Sequence, residues 1–105
     1  MQREVYYTYI VCCRDETLYT GWTTNLEARI RKHNMGTGAR YTQSRRPVTL
    51  VYYEIFESRH EAMSREAKIK QMNREEKLEM IRGFTGTQEE TCFCKDFCLR
   101  NQHSI

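Results

Sequence analysis

Two runs of the chain, VYYTYIVCC at residues 5–13 and VTLVYYEIF at residues 48–56, are dense in aromatic and β-branched residues and place apolar side chains at both alternating sets of positions. A strand with one wet face alternates apolar and polar residues, so this pattern predicts strands covered on both sides, the first of them central in its sheet. A hairpin brings Leu18 to Trp22 back beside the first run, antiparallel to it. The turn between them lacks the customary glycine, since Asp15 is followed by Glu16, and a four-residue loop built on a type I turn needs none.

After the hairpin the period changes from two to about 3.6. Thr24 with Glu27 forms a capping-box pattern, and Leu26, Ile30 and His33 fall on one helical stripe, with Arg29 on the same side as His33. A second box, Ser58 with Glu61, opens a helix whose inward stripe is Ala62, Glu66 and Ile69, with Met72 alongside. This stripe sets an acidic residue among apolar ones. A third box, Asn73 with Glu76, starts a last helix carrying Leu78 and Ile81 and stopping at Gly83. Between the first helix and the third strand lies NMGTGARYTQSRRP, a basic, glycine-bearing loop that ends at the only proline, Pro47. The predicted order is ββαβαα.

At 105 residues the chain suits one domain with a single modest core. Beyond Phe84 no helical or strand period can be counted, so residues 1–84 are expected to form the folded unit and residues 85–105 a cysteine-containing, flexible tail. No apolar run approaches the roughly 18 residues of a membrane span, and the charged start MQRE does not lead into a secretory signal, which predicts a cytoplasmic address and no membrane partner. Five cysteines, two of them in a strand, speak for reduced thiols rather than a disulfide framework. The net charge is +3, mild but enough to tolerate a polyanion. Lys32, Arg40, Arg45, Arg46, Lys68, Lys70 and Arg74 are candidate phosphate contacts, and Tyr41 a candidate stacking residue. Arg40 and Tyr41 stand out because they lie in the glycine loop; each of the others reads equally well as a solvated surface charge.

Four side chains offer chemistry on the predicted inner surface or its edge: Tyr9, Tyr19, Arg29 and Glu66. Singly they have ordinary readings. The tyrosines suit cross-strand aromatics, the arginine a cover for the end of the core, and the glutamate an ion pair with that arginine. Together they comprise a hydroxyl able to relay a proton, a fixed cation and a carboxylate suited to Mg²⁺ or Mn²⁺. Phosphodiester cleavage needs a positioned water, stabilised phosphate oxygens and help for the leaving oxygen. Tyrosine is an awkward base because its ordinary pKa is about 10, so either its phenolate is favoured by neighbours or the phenol passes its proton on.

The motifs YTY at 7–9 and YTG at 19–21, Arg29 and His33 in LEARIRKH, the GTGARYT loop and Glu66 in EAMSREAKIK together resemble the GIY-YIG nuclease superfamily, most closely its small stand-alone bacterial members. The similarity runs in order over residues 5–82. It implies an α+β fold, a small three-stranded antiparallel sheet flanked by helices. By position, Tyr9 and Tyr19 match the two motif tyrosines, Gly21 the closing glycine beside the nucleic acid, Arg29 the helix arginine and Glu66 the metal-binding glutamate. The resemblance implies that Glu66 holds one divalent ion, Arg29 steadies the scissile phosphate, Tyr9 takes or relays the proton of the water, and Tyr19 orients phosphate or water. His33 matches a recurrent histidine, with a histidine bonded within the core as the other reading. Tyr7, Thr8 and the threonine of YTG depart from the motif.

The expected function is a metal-dependent endonuclease acting on DNA, in repair or on branched or single-stranded substrates, with a protein partner as one source of specificity. The competing readings are a non-cleaving nucleic-acid module and a thiol or zinc protein centred on Cys92, Cys94, Cys98 and His103. The spacing of that last set matches no standard zinc finger, which favours reduced thiols over zinc.

Overall fold

The computed structural model describes residues 4–84. Strands β1 (Tyr6–Cys12), β2 (Leu18–Thr23) and β3 (Thr49–Phe56) form an antiparallel sheet in the order β2-β1-β3, so the first run with apolar residues on both faces is the central strand and the second is an edge strand. Helices α1 (Leu26–Met35), α2 (Arg40–Gln43), α3 (Arg59–Lys70) and α4 (Arg74–Arg82) complete an α+β architecture. The predicted order holds, with one addition: the basic loop contains the short helix α2. The tail residues Cys92, Cys94, Cys98 and His103 lie outside the described residues.

The double apolar pattern of β1 creates two cores, one on each side of the sheet. Ile10 and Cys12 pack with Val51, Ile69, Leu78 and Ile81 beneath α3 and α4, while Tyr9, Val11 and Cys13 pack with Val48, Leu26 and Ile30 beneath α1. Each fully buried aliphatic or aromatic side chain contributes roughly 1.5–3 kcal/mol. A bulge sits where Ile10 pairs with Tyr52 and Val11 with Leu50, leaving Val51 unpaired. Val51 and Tyr52, adjacent in sequence, therefore both face the α3 side, while Leu50 and Tyr53 face the α1 side.

The hairpin closes without glycine. Glu16 takes the left-handed conformation at φ 70°, and Asp15 Oδ1 accepts hydrogen bonds from the amide and hydroxyl of Thr17 at 3.2 and 2.7 Å. Helix α1 begins one residue later than its sequence suggests. Asn25, not Thr24, is the cap and accepts from the Ala28 amide at 3.1 Å, so no Thr24–Glu27 box forms. The amide of Asn25 is itself held by Thr23 Oγ1 at 3.2 Å, which sets that residue at the helix entrance. Ser58 caps α3 as expected, accepting from Glu61 at 3.1 Å.

In α4 both halves of the capping box are made, Asn73 Oδ1 accepting from the Glu76 amide at 2.8 Å and Glu76 Oε1 from the Asn73 amide at 3.0 Å. Asn73→Ala is expected to cost about 1 kcal/mol, read as a lower midpoint in urea unfolding. An unchanged midpoint would show that packing of Leu78 and Ile81 alone holds the helix.

Candidate active site

The site forms at the β2 edge of the sheet, where α1 and α3 approach it from opposite faces. A cleft of about 310 Å³ is lined by Tyr19, Gly21, Trp22, Thr23, Thr24, Arg29 and Glu66. Residues from a hairpin and from two helices far apart in sequence thus share one cavity. Arg29 projects from α1, and its Nε is buried with no hydrogen-bond partner in the protein. A buried N–H without an acceptor costs free energy.

Glu66 is the carboxylate in the lining, and its side chain keeps 20% of its exposure. Two contacts aim it. Arg65, the preceding residue, forks onto Glu54 of β3 at 3.1 and 3.0 Å, which fixes the roll of α3. One turn earlier, the buried hydroxyl of Thr8 donates to the Ala62 carbonyl at 2.8 Å and ties α3 to the central strand. A departure from the motif in the sequence is therefore a tether in the fold. The ion pair with Arg29 is not the one Glu66 makes: it pairs with Lys70, one turn on, at 3.4 Å.

Behind the cleft lies a buried polar chain. The Tyr9 hydroxyl is 2.9 Å from His33 Nε2, and His33 Nδ1 is 2.8 Å from Thr42 Oγ1. Tyr9, His33 and Thr42 are each 0% exposed. Burial pushes the Tyr9 phenol up to about 12, and Arg29, through a side-chain hydrogen bond and its positive charge, offsets only part of that. Burial, together with the charge of Arg29, holds His33 below the ordinary histidine value, so its imidazole is neutral at pH 7.

Two glycines make this chain possible. Gly21 pairs with Tyr9 across the strands, and a Cβ on it would stand 2.6 Å from the Tyr9 hydroxyl and 2.8 Å from Cζ. Gly21 also lines the cleft, so the buried Tyr9 hydroxyl packs against the backbone of a residue in the cleft wall. Gly21→Ala is expected to destabilise the fold by about 1–3 kcal/mol, measured by urea unfolding, with the excess cost reduced in the double variant with Tyr9→Phe. Equal stability of wild type and Gly21→Ala would refute the packing. A Cβ on Gly38 would likewise meet the His33 ring, 2.7 Å from Nδ1.

The remaining candidates separate. Tyr19 is at the site, edge-on to His33 with ring centroids 5.4 Å apart, and Lys70 Nζ lies 5.9 Å from its centroid. Tyr41 stacks on Tyr19 at 5.8 Å, its ring carries the Arg45 guanidinium at 4.1 Å, and it remains 40% exposed. Arg45 itself pairs with Asp15 at 3.1 Å, and Arg46 donates to the Gln43 carbonyl at 2.9 Å, so both have structural employment. Arg40 lines a different pocket with Gly36 and Gly38. Lys32, Lys68 and Arg74 are exposed and absent from the cleft lining. Sequence reading missed Thr42, Trp22 and the Lys70–Glu66 pair. Only the last carried a signal, the i, i+4 spacing of opposite charges.

The family model described as the GIY-YIG catalytic domain matches residues 5–79, and the chain belongs to this family. Among curated proteins it is 60% identical over 76 residues to a UPF0213 protein of Staphylococcus haemolyticus, covering 72% of this chain and 93% of that one. A UPF0213 protein of Clostridium perfringens is 59% identical over 75 residues, covering 71% and 81%. The solution NMR structure of a UPF0213 protein from Bacillus halodurans superposes with a TM-score of 0.54 at 40% identity, covering 84% of this chain and 94% of that one. No helix among the described residues is long and apolar enough to cross a membrane.

Proposed function

We propose that the protein is a divalent-metal-dependent endonuclease that hydrolyses DNA phosphodiester bonds. The observation that carries this reading is that Arg29 and Glu66, a fixed cation and a carboxylate from two helices, line one cleft, with the Tyr9–His33 pair behind it. A guanidinium in the cleft lining suits a phosphate oxygen.

In this reading Arg29 binds the scissile phosphate and draws charge from its oxygens, and Tyr19 orients the phosphate from the cleft wall. Tyr9, a phenol at neutral pH, accepts a proton from the attacking water as it gives its own to His33, whose neutral ring lies 2.9 Å away. Glu66 would hold one Mg²⁺ or Mn²⁺. A single carboxylate fits such an ion, which keeps several waters and takes further oxygens from the substrate phosphate; among the described residues no group of three His, Cys, Asp or Glu offers a self-sufficient site. When bound, the ion supplies charge stabilisation at the phosphate and the leaving oxygen. In the free protein Lys70 balances the Glu66 charge.

The open edge-strand cleft and the modest charge favour single-stranded or branched DNA, as in repair, with a protein partner adding specificity. Residues 1–84 would be the catalytic unit, working in the cytoplasm. Incubation with single-stranded, duplex and branched DNAs, with Mg²⁺, Mn²⁺ or EDTA, tests the proposal. Cleavage of at least one substrate, abolished by EDTA, is expected. Salt-sensitive binding without cleavage would replace it with the non-cleaving nucleic-acid module.

A further inference from the structure

Thr42 belongs to the glycine-bearing basic loop and gains its place only because α2 folds there. Its side chain is fully buried against His33, which it meets at 2.8 Å. A hydroxyl has one proton to give. The Thr42 hydroxyl has a carbonyl in reach, Ala39 O at 3.1 Å, one turn back along the chain. With its proton directed there, Thr42 Oγ1 presents lone pairs to His33 Nδ1, and Nδ1 must carry the hydrogen between them. A neutral imidazole has one N–H, so Nε2 is left as a lone pair, 2.9 Å from the Tyr9 hydroxyl. Gly38 packs against the ring at Nδ1 and Cγ, where a Cβ would come within 2.7 and 2.8 Å, and keeps it in this orientation.

We infer that Thr42 is a positioning residue: it holds His33 in the Nδ1–H tautomer, so that Nε2 can receive the Tyr9 proton. In the opposite tautomer Nε2 would donate to Tyr9, and the tyrosine would have no acceptor to which to pass its proton. The transfer balances. The O–H bond of the water breaks and its proton joins Tyr9; the Tyr9 O–H bond breaks and its proton joins Nε2; His33 becomes an imidazolium whose Nδ1–H remains on Thr42. The catalytic part of this inference rests on the nuclease reading, whereas the tautomer does not.

The test is long-range proton–nitrogen NMR on the full chain labelled with ¹⁵N-histidine. The chain has three histidines, and single substitutions of His60 and His103 assign the signals of His33. The expected spectrum shows His33 Nδ1 protonated and Nε2 unprotonated. Thr42→Val, which keeps the shape and removes the acceptor, is expected to lose that preference, and Thr42→Ser to retain it. In cleavage assays Thr42→Val should lower kcat by at least about tenfold with KM unchanged, as expected when a histidine base is held in the wrong tautomer, and Thr42→Ser should restore most of it. A protonated Nε2 in the wild type, or a valine variant with an unchanged tautomer, would overturn the inference. If the valine variant does not fold, the wild-type and serine spectra decide it. If the wild type cleaves nothing, the spectra still stand as the test, so failure of the nuclease reading and failure of this one are distinct.

Discussion

Glu66→Ala is expected to lower DNA cleavage by about two to three orders of magnitude, the scale on which charge stabilisation worth several kcal/mol appears in a rate. Glu66 is the carboxylate among the cleft-lining residues, and no cluster of three ligands among the described residues could substitute for it. The variant should fold, because the side chain is partly exposed and its pairing with Lys70, itself 52% exposed, is a surface ion pair of small worth. DNA binding without metal should be equal or tighter, since a negative charge leaves the cleft and Lys70 is freed toward phosphate. Trp22, the only tryptophan, lines the same cleft and gives a direct readout: Mn²⁺ quenching of its fluorescence should be seen in the wild type and lost in Glu66→Ala. Undiminished cleavage by the variant would remove Glu66 from the mechanism.

Tyr9→Phe should reduce kcat by about 10²–10⁴-fold, the usual contribution of a positioned proton-transfer group. The pH profile then separates the two ways a tyrosine can serve. With the Tyr9 phenol pushed up to about 12, a mechanism through its phenolate would make kcat/KM climb about tenfold per pH unit from pH 7 to pH 10. A relay to His33 predicts a level profile over that range. Its acid limb comes from His33, which must be neutral to accept a proton and whose pKa is lowered from 6.5. Activity should therefore fall only at pH values below 6.5, as the ring charges. Burial and the charge of Arg29 hold the ring in this neutral state. A steady rise to pH 10 would overturn the relay.

Most of the polypeptide's local order is legible in its sequence. The two-sided apolar runs, the cap residues Ser58 and Asn73 and the inward stripes of α1, α3 and α4 depend on neighbours within a turn or on simple alternation, and both kinds of information are local in sequence. Thr24 misled because Asn25 competes for the same role, and the cap with the better geometry wins. The contacts of Arg45 and Tyr41 are not legible in this way: Arg45 meets the Tyr41 ring and Asp15, thirty positions earlier in the chain.

The sequence by itself determined the strands and helices, the central place of β1 and the set of chemistries carried by Tyr9, Tyr19, Arg29, His33 and Glu66. Only the tertiary structure decided how those groups connect. Tyr9 reaches His33 across 24 positions, Thr8 holds α3 across 54, and Thr42 meets His33 only after α2 has folded against α1. These contacts turn on the close approach allowed by Gly21 and Gly38 and on burial that moves the tyrosine up and the histidine down. Distances and desolvation of that kind arise when separate elements pack, and no periodicity along the chain encodes them.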